Sequence, residues 1–483
     1  MPSAQSLDAV VVGSGPNGLA AAITLAQTGR SVQLVEAENT VGGGCRTAEL
    51  TLPGFLHDIC SAVYPLGVAS PVLAKLPLER FGLRWIEPPV PLAHPLDDGT
   101  AFLYRDLDET ARRLGGDADA YRRLVGPAVR DWDVIIRELT GPFRIPRDAR
   151  TMAVAARFAL LALQPITVMG RRFRTKEARA LLAGCGAHSM LRLSESLTGT
   201  FGLMFLASGH AAGWPIVEGG AQRLADALAA TFRELGGEIV TGRRVTSLAE
   251  LPAHRAALFD LAPRQLVALA RDRFGASGAG RRYLRQLERF RYGPGAFKLD
   301  IALDGPIPWR DPEILRAATV HVGGTLEEIA ASEAAVSDGR IPDRPFVLLA
   351  QQSLFDTSRA PEGRHTVWAY CHVPNGSTVD MTERIVSQIE RFAPGFRDRI
   401  LATSRWGPAD FERYNANYVG GDIGAGRPDI RQFFTRPAWR PDPYRTPDPS
   451  ILLCSASTPP GAGVHGLCGW YAAQSALRGV LRG

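Results

Sequence analysis

The chain has 483 residues, 45% of them hydrophobic and 22% charged, with 50 glycines and 35 prolines. That length exceeds what one hydrophobic core organises, and that composition excludes disordered and fibrous classes, so two or more globular domains are expected. The net charge is +6, but all except three of the 55 basic residues are arginine, scattered along the chain and opposed by 49 acids, which argues against a nucleic-acid-binding face.

The first residues, Met1 to Leu7, show neither a basic nor an apolar signal region, which points to a cytoplasmic protein. Ala9-Val-Val-Val12 is a short β-branched run of the kind found in a parallel strand buried on both faces. It enters Gly13-Ser14-Gly15-Pro16-Asn17-Gly18 and then an alanine-rich helix that Gly29 can end. In such a strand, glycine turn and helix, Gly13 permits the tight turn and Gly15 lets backbone approach a pyrophosphate. Gly18 allows close helix-to-strand packing, while the amides around Pro16 and Asn17 face the anion. A second strand, Ser31 to Glu36, ends in an acid 18 residues beyond Gly18, the ribose-binding position of a dinucleotide fingerprint, with Ala37 beside it. A carboxylate there repels a 2′-phosphate and suits the adenosine of FAD or NAD. The competing account, a turn that binds nothing, leaves the agreement of strand, helix and acid unexplained.

The next stretch, Glu36-Ala-Glu-Asn-Thr-Val-Gly42-Gly43-Gly44-Cys45-Arg46-Thr47, resembles the second glycine motif of the FAD-containing amine oxidase and phytoene desaturase superfamily. The resemblance favours FAD over NAD and implies that Gly43, Gly44, Arg46 and Thr47 lie by the cofactor, although Arg46 stands two positions later than the arginine of many members. The six cysteines (Cys45, Cys60, Cys185, Cys371, Cys454 and Cys468) contain no C-x-x-C pair, so no disulfide framework or metal site is expected. Cys45 and Cys60 have the wrong spacing for a flavin-linked dithiol and read as packing residues.

Further along, Thr151 to Gly170 is the most apolar stretch, yet Arg157, Gln164 and Pro165 interrupt it, so it is not expected to span a membrane. Arg144, Arg147 and Arg150 precede it and Arg171, Arg172, Arg174 and Lys176 follow it, a layout that suits peripheral contact with an anionic membrane; a core helix with solvated ends is the competing account. From Trp214 a glycine pair, an amphipathic helix through Leu224, Leu228, Phe232 and Leu235, and a strand toward Val245 resemble the superfamily's returning segment. The resemblance implies that Val245 contacts adenine through its backbone; an ordinary core valine is the alternative. The chain reaches Ala256 to Pro263 soon after Leu248, which predicts that the β-meander common in the family is reduced.

In the middle of the chain, Phe297 to Ile301 alternates like a strand with Lys298 and Asp300 on one face, and His365 to His372 does the same with Trp368, Tyr370 and His372. These faces either wall a cavity or form a surface ion pair and ordinary packing. Near the end, Ile451 to Ser457 reads as a buried strand. It leads through Thr458-Pro-Pro-Gly461-Ala-Gly463-Val464-His465-Gly466 into a final helix, and the 17 residues after Gly466 are too few for another βαβ unit of roughly 30. The resemblance implies that this helix N-terminus, with Gly463, Val464 and His465, faces the flavin pyrimidine, where its dipole stabilises negative charge.

Phrases such as Tyr292-Gly-Pro-Gly-Ala-Phe-Lys-Leu-Asp, Ala393-Pro-Gly-Phe and Asn415-Ala-Asn-Tyr-Val-Gly-Gly-Asp422 are similar to a bacterial branch of phytoene-desaturase-like oxidoreductases, related to the pyridine nucleotide-disulfide oxidoreductase domain-containing protein 2 group. The predicted architecture is therefore α/β. A discontinuous Rossmann-like FAD domain (1–64, 211–263 and 436–483), with a mostly parallel sheet, is interleaved with an α+β substrate domain of mixed sheet and helices (65–210 and 264–435). The implied activity is hydride transfer from an apolar or amphipathic substrate to flavin N5, with oxygen or a quinone as acceptor. His465, Lys298 and Asp422 are the acid-base candidates. An amine oxidase, a redox-neutral isomerase and a non-catalytic flavin-binding interaction protein remain open at this point.

Overall fold

The computed structural model describes residues 6–142 and 148–482. Its first layer is a five-stranded parallel sheet made of β1 (Leu7–Val12), β2 (Val32–Val35), β3 (Glu238–Val240), β4 (His254–Phe259) and β5 (Ile451–Leu453), in the order β5-β4-β1-β2-β3. Helices α1 (Pro16–Ala26), α2 (Gln222–Glu234), α3 (Pro263–Gly275), α4 (Gly278–Glu288) and α5 (Leu467–Arg478) belong to this layer. Side chains alternate across a strand, so Ala9 and Val11 face α1, α2 and α5 while Val10 and Val12 face α3 and α4. Burial on both faces explains the unbroken apolar run at β1.

The second layer is a seven-stranded mixed sheet. Its order is Ile400–Trp406, Gly295–Leu303, His365–Val373, Val347–Ala350, Ala317–Val322, Val90–Leu96 and Gly99–Leu103. All neighbours are antiparallel except Ala317–Val322 with Val90–Leu96. One face packs on the helix Thr382–Phe392; the other packs on a helical cap that includes Ala118–Arg130, Lys176–Ala187 and Thr198–Ala211.

Two sequence expectations change. The boundary at 263/264 assigned α3 and α4 to the substrate domain, but Leu266, Phe274, Tyr283 and Leu287 cover the parallel sheet. No signature marks these helices; they are allotted by topology alone. Val245 does not end a strand, since β3 stops at Val240 and the chain then runs irregularly. The expected shortening is present: between β3 and β4 the chain carries one short turn, Leu248–Glu250.

Among the described residues no single helix is long and apolar enough to cross a membrane. The helices Ala149–Ala162 and Ile166–Arg172 are bent by 93° at the Pro165 break. The first buries Val154, Phe158 and Ala162 yet leaves Met152 and Leu160 exposed. Arg150, Arg171, Arg172 and Arg174 are exposed, while Arg144 and Arg147 lie outside the described residues.

Candidate active site

A cavity of about 610 Å³ opens along the carboxyl ends of β1, β2 and β4 and continues to the mixed sheet. Ligands of open α/β sheets bind at these strand ends. Gly13, Gly15, Pro16, Asn17, Glu36, Ala37, Gly43, Gly44, Arg46, Val245, Gly463 and Val464 all line it. Three segments hundreds of residues apart therefore meet around one space. At Gly13 the backbone has φ +101°, which side chains disfavour. A Cβ at Gly18 would collide with the Gly13 carbonyl, so Gly18 serves helix-to-strand packing behind the cavity. A Cβ at Gly43 would lie 2.9 Å from Gly15 Cα, which shows the second glycine motif lying directly on the first. Backbone fills these positions to the limit, and the room that remains suits a long, thin, anionic ligand.

Glu36 ends β2 inside this space. Its Oε2 accepts hydrogen bonds from Ser14 N at 2.8 Å and Ser14 Oγ at 2.5 Å, and its Oε1 accepts from Glu38 N at 2.9 Å. Arg46 is largely spent on the chain around it: it donates to the carbonyls of Thr40 at 2.6 Å, Val41 at 3.3 Å and Gly43 at 3.2 Å. It also stacks 5.4 Å from the Tyr414 ring centroid. Thr47 departs from expectation. Its Oγ1 donates to Asp58 at 2.7 Å and accepts from Gln222 N at 3.2 Å, so it ties the motif to α2 and is absent from the cavity wall.

The three acid-base candidates also shift. Lys298 is 1% exposed and lines no part of the cavity; its ammonium is hydrogen-bonded to Asp300, so the surface ion pair is in fact a core one. Asp300 Oδ1 lies 3.5 Å from His57 Nδ1, and close by Arg359 Nη2 donates to Asp58 at 2.7 Å. Burial pushes the Asp300 carboxyl up to about 6 against the pull of Lys298, and holds His57 down to about 3 with help from Lys298 and Arg359. Asp422 spends its carboxylate on the amides of Gly293, Gly424 and Gly426 at 2.7, 2.8 and 2.8 Å, which organises a loop. His465 lines a smaller adjoining cavity of about 90 Å³. Burial lowers its pKa to about 4, so it is neutral.

The far end of the main cavity is lined by Phe205, Trp214, Leu348, Trp368, Tyr370 and His188. Trp368 and Tyr370 thus wall the cavity, whereas His372 turns to Glu333 at 2.9 Å. His188 borders both cavities, and its Nε2 lies 2.9 Å from His321 Nε2. Burial holds His188 down to about 3, so it is neutral, and among the described residues its hydrogen-bond contact is made through Nε2 and not Nδ1. Sequence reading missed His188, because nothing local marks a histidine at a helix end as facing a space built by other segments. It also missed Asp260, although an acid directly after a strand that pairs with β1 stands where ligands bind. The Asn415 to Tyr418 phrase acquires a role as well. Tyr414 donates to Gly43 O at 2.7 Å and Asn417 Nδ2 to Asp260 O at 3.0 Å, so this segment bridges the two lips of the cavity.

All six cysteines are free. Burial pushes the Cys45 thiol up to about 12 and raises that of Cys60, the opposite of a reactive dithiol. Among the described residues no group of three His, Cys, Asp or Glu is placed to hold a metal ion.

Comparison with known proteins accords with this geometry. The family model for flavin containing amine oxidoreductases matches residues 17–477. The chain is 26% identical to the mouse (Mus musculus) pyridine nucleotide-disulfide oxidoreductase domain-containing protein 2, over 98% of this chain and 93% of that one. It is 24% identical to the neurosporene-forming phytoene desaturase of Rhodobacter capsulatus, over 95% and 92%. Among solved structures, an oxidoreductase from Methanosarcina mazei shares the fold with TM-score 0.64 at 14% identity, over 98% of this chain and all of that one. Putrescine oxidase bound to putrescine does so with TM-score 0.61 at 17% identity, over 97% and 98%. With a family match spanning nearly its whole length and a glycine-lined cavity at the strand ends, the chain belongs to the flavin containing amine oxidoreductase family and is an FAD-dependent oxidoreductase.

Proposed function

We propose that the protein dehydrogenates an apolar or amphipathic organic molecule, forming a C=C bond, with oxygen or a quinone as the final acceptor. The observation that carries this reading is the distribution of charge in the cavity. Its acidic lining residues, Glu36, Glu38 and Asp260, all belong to the strand ends of the parallel sheet, while the far end is aromatic and aliphatic around one neutral histidine. Such a wall favours an apolar body through burial of nonpolar area, at about 25 cal/mol per Å². Among the described residues it offers no carboxylate to pair with an alkylammonium.

When bound, FAD supplies a two-electron acceptor at its N5 position. The chain's own residues do the rest. Gly13, Gly15, Gly43 and the amides at the start of α1 would hold the diphosphate, Glu36 would take the ribose hydroxyls, and the start of α5 with Gly463 and Val464 would offer positive backbone dipole to the flavin. Trp368 and Tyr370 orient the substrate and exclude water. His188, neutral and lining the cavity, accepts the substrate proton while His321 fixes its ring. Exposed Met152 and Leu160, on a helix that begins at Ala149-Arg150, support peripheral contact with a lipid surface.

The test is an anaerobic screen of the FAD-loaded enzyme against apolar alkenes and long-chain esters and against alkylamines. The expected result is loss of oxidised-flavin absorbance with a member of the first group and a product lighter by two hydrogens. Bleaching by alkylamines alone, with aldehyde or imine product, would establish the amine oxidase reading instead.

A further inference from the structure

The acid at the glycine turn has no assigned role, and its surroundings are unusual for a carboxylate. Asp260 follows β4 directly and its backbone is pinned, with its N–H donating to Val12 O at 2.8 Å and its carbonyl held by Asn417. The residue is 8% exposed and lines the cavity. Its Oδ2 accepts from Gly18 N at 3.0 Å and would lie 2.7 Å from a Cβ at Gly15. The carboxyl therefore sits under the glycine turn, at the amides of α1 that would receive a diphosphate.

We propose that Asp260 serves FAD as a neutral carboxylic acid, donating a hydrogen bond to an anionic diphosphate oxygen, so that the protein takes up one proton from solvent when the cofactor binds. The proposal rests on the assignment of FAD to this cavity. Its physical basis is the company the carboxyl keeps. Asp58 has Arg359, and Asp422 has three amides, but among the described residues Asp260 has no ion pair and one amide. The titratable groups facing it are Glu36 from β2, Cys454 just beyond β5 and Cys468 in α5, none of them a cation. Burial pushes its pKa up to about 7 against the Gly18 amide, with Glu36 adding to the rise. A diphosphate brought alongside disfavours the ionised form further, and a protonated acid is the one state of Asp260 that offers it a donor.

The experiment titrates apoprotein with FAD at pH 6.0 and pH 8.5, at constant ionic strength, following flavin fluorescence, and counts protons with an indicator dye in weak buffer. The expected result for the wild type is a Kd about thirtyfold weaker at the higher pH, with about one proton taken up per FAD there. Asp260→Asn, which keeps the donor without the charge, is expected to bind equally at both pH values and to take up no proton. Glu36→Gln, whose ribose contact is weakened, is expected to keep the proton uptake. Equal wild-type affinity at the two pH values overturns the proposal, as does uptake that survives in Asp260→Asn or vanishes only in Glu36→Gln. The wild-type slope and proton count stand even if a variant fails to fold. A chain that takes no FAD at either pH fails at the cofactor itself, an outcome distinct from pH-independent binding.

Discussion

The two ends of the cavity are built by different means. The cofactor end is mostly backbone: Gly13, Gly15 and Gly43 lie so close that side chains have no room, and Glu36 follows at a fixed spacing. The substrate end is side chains, with His188, Phe205, Trp214, Leu348 and Trp368 arriving from helices and strands far apart in sequence. The difference teaches that recognition by backbone is written in short motifs, whereas recognition by side chains is written in the packing of the whole domain.

Gly18→Val probes the first end most severely. The new side chain meets the Gly13 carbonyl, and the expected outcome is purified protein without flavin absorbance that does not regain it on adding FAD. At the second end, His188→Phe is expected to keep FAD binding and to slow anaerobic flavin reduction by about 10²- to 10⁴-fold, the usual worth of a positioned acid-base group. Stopped-flow absorbance measures both. Should His188→Phe lose FAD while keeping the rate per bound flavin, the division between the ends would be wrong.

Beneath the substrate end, Asp58→Leu takes from buried Arg359 its 2.7 Å carboxylate partner, leaving only Asp356 at 3.9 Å, and is expected to destabilise by about 3–5 kcal/mol in urea unfolding. Replacing both partners by apolar residues is expected to recover much of this loss. The smallest effect per group is that of acid. Burial depresses His57, His94 and His210 to about 3, 4 and 4, so each binds its proton more weakly in the folded chain than in the unfolded one. Their stabilisation is present above the unfolded pKa near 6.5 and is lost as pH falls toward those folded values, about 1.4 kcal/mol each by pH 5.5. All three belong to the substrate half or the link to it, so hydrogen exchange at pH 5.5 is expected to speed up first around the mixed sheet and its helical cap.

What the sequence made legible follows from the same division. The strand, glycine turn and helix at 9–26, the acid at Glu36 and the final turn at 461–466 are local, and each occupies its expected place in the fold. Lys298 was singled out by strand alternation, which assigns a face but not the layer above it; the layer proved to be core, with Asp300 and His57. His188 gave no signal, since its meaning comes from His321, 133 residues away. Asp260 was read only as part of a returning strand. Its significance appears once β4 pairs with β1 and sets the carboxyl under the glycine turn.

Segments from the start, middle and end of the chain form one cradle for a single dinucleotide. Titrating apoprotein with FAD and following flavin fluorescence tests it directly. The account predicts saturation at one FAD per chain, reversed by denaturation, with Gly18→Val taking up none. A wild-type chain that stays colourless through saturating FAD, or a Gly18→Val chain that binds it as tightly as wild type, would contradict it.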